Sequence, residues 1–172
     1  ERIGDQTADI ADVSRHLTDF QLEVHPKIFH MGKIASKMVN DSVNAFVRKD
    51  DQLAAEVIAT DDQVDRLFEE IKMELMEEIA KNPNSSGSEL DVLMIAKYME
   101  RIGDHAFDIA KIAKRLGEGG NGHVKPLLDI PRMAGLATQM LRDALTAYVN
   151  MDVELADKVC QADDEVDALY NQ

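Results

Sequence analysis

Apolar positions along the chain recur at three- and four-residue spacing and nowhere in convincing alternation, which predicts helices and no strands. Local punctuation divides this pattern into six segments, roughly 1–17, 26–49, 51–81, 88–116, 126–150 and 152–172. Pro26 follows His25 and sits where a helix tolerates a missing N–H. Asp50 or Asp51 caps the third segment, which runs to Pro83, and residues 84–88 (Asn-Ser-Ser-Gly-Ser) form a loop with capping candidates. Gly117 ends the fourth segment, Pro126 or Pro131 begins the fifth, and Asp152 opens the last.

The segments repeat. Glu1-Arg2-Ile3-Gly4-Asp5 returns letter for letter as Glu100-Arg101-Ile102-Gly103-Asp104, and Asp9-Ile10-Ala11 matches Asp108-Ile109-Ala110, at an offset of 99. A second correspondence runs at an offset of 102: Asp41 with Asp143, Val47 with Val149, Asp50 with Asp152, and residues 61–65 with 163–167. The three-residue difference falls in the Gly-rich stretch 117–122, where loops absorb insertions cheaply. Each full repeat is three long helices, the size of a three-helix bundle. The predicted fold is therefore all-α, with tandem antiparallel three-helix bundles. Residues 1–20 hold the last helix of a first repeat, 26–117 a complete repeat, and 124–172 the first two helices of a further one. The missing third helix is supplied by residues 1–17 packing out of sequence order, by a partner chain, or by residues beyond this sequence. Glu1 and its neighbours read as mid-helix, so the natural N-terminus is expected to lie upstream.

Placing Asp61 at zero on a helical wheel brings Val57, Ile58, Val64, Phe68, Leu75 and Ile79 within roughly 60° of it. Asp61 is thus centred on the apolar stripe, with Asp65 about 40° away and Asp62 about 100° away. A carboxylate facing a core costs several kcal/mol or becomes protonated unless it is compensated. No Lys or Arg lies three or four residues from Asp61, and acidic residues four apart repel. Asp163 and Asp167 repeat the conflict, and rules broken twice in one way mark a site. Glu100 and Asp104 on the next helix of the repeat supply facing carboxylates, flanking an apolar arc that includes Gly103. A mid-helix glycine costs roughly 1 kcal/mol against Ala and signals close approach of a neighbour.

Two centres are predicted: Asp61 and Asp65 with Glu100 and Asp104, and Asp163 and Asp167 with Glu1 and Asp5. Oxygen-only sets suit Mg²⁺, Mn²⁺, Fe or Zn²⁺, singly or as a multinuclear group. Asp62, Asp164, Asp9 and Asp108 stay open between outer ligand, hydrogen-bonding support and exposed charge. His105 is expected on the surface or in an interhelix hydrogen bond, and His30 on a helix surface. Met31, Met38, Met73, Met94, Met99 and Met140 are expected as core filler.

Composition then narrows the function. The net charge is −14, with 33 acidic residues against 19 basic, a field that repels nucleic acid and anionic membrane surfaces. Cys160 is the only cysteine, so no intrachain disulfide forms and no thiolate cluster binds metal. There is no long apolar run to insert in a membrane, and a reducing cytoplasm suits the lone thiol. Sequence signatures of nucleotide, serine-hydrolase or zinc-protease chemistry do not occur.

Glu-Arg-Ile-Gly-Asp-His followed by Asp-Ile-Ala, with Asp-x-x-x-Asp on the preceding helix, resembles the PhoU family of phosphate-uptake regulators. The resemblance implies two tandem three-helix bundles with acidic motifs that hold metal ions or clusters, cytoplasmic location and a homodimer. It further implies negative regulation of phosphate uptake and of the starvation response, through the ATPase of the phosphate transporter and a sensor histidine kinase. The ligands it implies are Glu1, Asp5, Asp61, Asp65, Glu100, Asp104, Asp163 and Asp167. The order of helices departs from the family, because two repeat-opening helices follow the second motif. Two rivals remain: a di-metal carboxylate oxidoreductase, disfavoured because no Glu has His three residues later, and a metal-free helical interaction module.

Overall fold

A computed structural model describes residues 1–17, 25–118 and 129–171. Six α-helices account for nearly all of them: α1 (Arg2–Leu17), α2 (Pro26–Arg48), α3 (Asp51–Lys81), α4 (Ser86–Glu118), α5 (Asp129–Asn150) and α6 (Val153–Tyr170). The all-helical expectation holds among the described residues. Two boundaries shift. Helix α4 runs through Gly117 to Glu118 instead of ending at that glycine. The predicted loop at 84–88 is only a 3₁₀ turn, Pro83–Ser85, running straight into α4. Helix α5 starts at Asp129 with Pro131 in its first turn, whereas Pro126, the rival start, lies outside the described residues.

Both sharp corners are built alike. At the α2–α3 junction Lys49 turns into the left-handed region (φ 56°), and Asp50 then accepts the Leu53 N–H at 2.9 Å. At the α5–α6 junction Met151 (φ 53°) and Asp152, which accepts from Leu155 N–H at 3.0 Å, do the same. These are equivalent positions at the 102-residue offset. A side-chain carboxylate on an orphan N–H of the first turn is the standard way to start a helix. The repeat is therefore kept in backbone conformation as well as in sequence.

Apolar stripes on each helix then set the packing. Helices α2, α3 and α4 pack on one another, and α1 packs with α5 and α6. The two sets join where equivalent helices meet, α1 on α4 and α2 on α5. Copies of one motif thus meet at the junction of the two sets. The core holds Ile10, Leu17, Ile28, Met31, Met38, Ile71, Ile95, Met99, Ile102, Leu141 and Tyr148, each almost fully buried. Met31, Met38, Met99 and Met140 fill it as expected. Met73 and Met94 do not: they are 61% and 44% exposed, on the outer sides of α3 and α4. No described helix is long and apolar enough to cross a membrane.

Candidate metal centres

Helices α3 and α4 bring Asp65, Glu100 and Asp104 together, each offering an oxygen within 4.8 Å of the others. Helices α1 and α6 do the same with Asp5, Asp163 and Asp167. The two trios are related but not identical. The counterpart of Asp163 is Asp61, which borders its trio without joining it. The counterpart of Glu100 is Glu1, an exposed residue that precedes the first turn of α1 and stays outside its trio.

Electrostatics show what this convergence costs. Burial pushes Asp61 up to about 6, and Asp65, Asp104, Asp62 and Glu100 push the same way. Asp163 is also raised to about 6, first by burial and then by Asp5 and Asp167. Asp65 and Asp104 are raised by burial first and by Glu100 next. One cation relieves the first centre: Lys97 Nζ donates to Glu100 Oε2 at 2.6 Å and opposes the upward shifts of Asp65 and Asp104. Sequence reasoning looked one turn either side of Asp61 and passed over Lys97, which lies three residues before Glu100 and so on the same face.

The residues fit a hard or borderline cation. Oxygen is the only donor present, and charge on a metal would cancel the repulsion that now disfavours the ionised trio. Asp163 Oδ1 is buried with no hydrogen-bond partner, a costly state for a carboxylate oxygen and one that coordination would relieve. Gly4 makes room for that oxygen: a Cβ there would stand 2.6 Å from Asp163 Oδ1 and 3.3 Å from Val166 Cγ1. At Gly103 the equivalent Cβ would meet Val64 Cγ1 at 3.3 Å and Asp61 Oδ1 at 3.7 Å, a looser approach.

The remaining candidates stay outside both trios. Asp62, Asp164, Asp9 and Asp108 are exposed, and Asp9 is raised by burial and by Asp5 and Asp12 against the pull of Arg101. His105 makes an interhelix contact, its Nε2 lying 3.3 Å from Gln6 Nε2. Gln6 had drawn no attention in the sequence. It occupies the position of His105 in the other motif copy, so the offset of 99 contained the signal.

Six helices in two bundles, with an acidic motif recurring between corresponding helices, define a tandem three-helix-bundle protein. The PhoU domain family matches residues 28–113 and 130–172, and the chain belongs to the PhoU family. A phosphate-specific transport system accessory protein PhoU homolog of Clostridium acetobutylicum is 34% identical over 154 residues, covering 87% of this chain and 69% of that protein. A second homolog, from Thermotoga maritima, is 32% identical over 93% of this chain and 68% of its own length. The crystal structure of PhoU from Pseudomonas aeruginosa superposes with a TM-score of 0.76 at 31% identity, over 84% of this chain and 70% of that one. The chain thus spans about two thirds of the length of these relatives. Their family is one of transport accessory proteins, not enzymes.

Proposed function

We propose that the chain is a metal-binding regulator of phosphate uptake and of phosphate-starvation signalling, acting by docking on other proteins. The relatives named above are accessory proteins of phosphate-specific transport. The observation that carries the metal half is the pair of carboxylate trios, above all the partnerless, buried Asp163 Oδ1 beside Gly4. Asp65, Glu100 and Asp104 would hold one ion or cluster, with Asp61 adjacent, and Asp5, Asp163 and Asp167 the other. Bound charge would fix α3 against α4 and α1 against α6, and so set the shape of the outer surface that partners meet. The partners proposed are the ATPase of the phosphate transporter and the sensor histidine kinase, the site of action the cytoplasm, and the working form a homodimer.

Elemental analysis of protein purified without chelator tests the metal half, beside a D61N/D65N/E100Q/D104N variant and a D5N/D163N/D167N variant. The expected result is bound Fe, Zn, Mn or Mg that falls by about half in either variant. Metal absent from all three, even after incubation with each ion, would leave a helical interaction module. Co-purification of the wild-type chain with the transporter ATPase and with the kinase tests the docking half.

A further inference from the structure

Where α1 meets α4, an open cleft of about 330 Å³ is lined by Arg2, Gln6, Arg101, Asp104 and His105. Four of these residues come from two equivalent positions: Arg2 corresponds to Arg101, and Gln6 to His105. The cleft therefore lies between the two motif copies, with one exposed arginine from each. In a chain with 33 acidic residues and 19 basic, exposed arginines ordinarily find carboxylates. Neither Arg2 nor Arg101 makes an ion pair among the described residues, although acidic residues flank both in sequence.

The buried side of the cleft is also incomplete. Gln6 is only 8% exposed, and its Oε1 is buried without a hydrogen-bond partner while Nε2 faces His105 Nε2. Turned end for end, the amide would let Oε1 accept from His105 Nε2–H and would release its NH₂ to donate elsewhere. That NH₂ would lie in the buried position Oε1 now holds, so the donors the cleft itself presents are the two guanidinium forks. Planar forks match the oxygens of a tetrahedral anion in pairs, which a carboxylate or chloride uses less fully.

We propose that this cleft binds a small oxyanion of the phosphate class, gripped by Arg2 from α1 and Arg101 from α4 above Gln6 and His105. The proposed grip uses no carboxylate, but the cleft adjoins the α3–α4 centre, because Asp104 lines it and also belongs to that trio. Asp104 at the edge acts against the anion, which sets a direction for its replacement. The chain's negative field repels extended polyanions, but a single small anion meets the local charge of the two arginines.

Calorimetric titration of the full chain with inorganic phosphate is the test. One phosphate per chain is expected, displaced by sulfate and not by chloride. R2Q and R101Q should each weaken binding roughly tenfold, R101K less, and the R2Q/R101Q pair should abolish it. Both side chains are exposed, so the variants should melt with the wild type, and R101K keeps the test valid if a neutral variant does not. D104N should bind as tightly as wild type or more so. No saturable uptake, or equal affinity in the R2Q/R101Q variant, would overturn the proposal. Loss of phosphate in D104N would overturn it too, since that would place the anion on a cation held by the acidic trio.

Discussion

Asp61→Asn should stabilise the metal-free protein at neutral pH and leave it unaffected in acid. The Asp61 carboxyl moves from an ordinary 3.8 to about 6 on folding, chiefly because burial disfavours its charged form. Two pKa units are worth about 3 kcal/mol. Asp61 keeps partial contact with water, so screening reduces this to about 1–1.5 kcal/mol. Between pH 4 and 6 the folded state binds the proton that the unfolded state has released, so stability falls as pH rises through this window. The penalty is absent below about pH 4 and complete above about 6. Chelator-treated wild type should therefore melt higher at pH 5 than at pH 7.5 as far as this group governs it, the reverse of common acid denaturation. In D61N the pH 7.5 melt should rise by about 2–6 °C, at 2–4 °C per kcal/mol for a chain of this size, and the pH slope should flatten. With saturating metal the sign should reverse, because the substitution then removes charge that a cation needs. A D61N protein no more stable than wild type at pH 7.5 with chelator would refute the account of a penalised, buried carboxylate.

Gly4→Ala should displace Asp163 and cut the metal bound at the α1–α6 centre, lowering total metal by about half in elemental analysis. Gly103→Ala meets Val64 at 3.3 Å, which a shift of a few tenths of an ångström relieves, and Asp61 Oδ1 at an ordinary 3.7 Å, so it should retain metal while gaining up to about 1 kcal/mol of helix propensity. Asp50→Ala, which removes the cap on Leu53 N–H, should cost about 1 kcal/mol in urea denaturation. Lys97→Gln should raise metal affinity at the α3–α4 centre about two- to fivefold in chelator competition, since the ammonium now competes for Glu100.

Much of the fold was legible in the chain because its helix signals are local. Pro26, Asp50 and Asp152 mark their helices within a residue, and the repeat offsets pair Lys49 with Met151 and α1 with α4 before any coordinates exist. Asp65, Glu100 and Asp104, and Asp5, Asp163 and Asp167, come together as their helical phases imply. Phase alone does not say which residue of a set reaches inward. Asp61 is centred on the apolar stripe, yet its carboxylate borders the trio, and Glu1, ahead of the first turn of α1, stays outside its own. Met73 and Met94 are exposed because of helical phase: Ile71, Leu75, Val92 and Ile95 beside them are buried, while the methionines fall on the outer sides of α3 and α4.

The packing of α1 against α5 and α6 has a consequence for synthesis. Helices α2, α3 and α4 are consecutive, so they can close on one another while the rest of the chain is still being made. Their companion set unites α1 with α5 and α6, which are made only after α4. Arg15 meets Asp157 across 142 residues of chain, at 2.6 Å, a contact that exists only after α6 has left the ribosome. Until then α1 holds Ile10, Ala11 and Leu17 ready for α5 and α6, with α4 the one described helix made earlier that packs on it. Long-range closure of this kind is slow and leaves apolar surface open to wrong partners. The window of vulnerability in this molecule is thus set by the order in which its helices are made, and falls on α1.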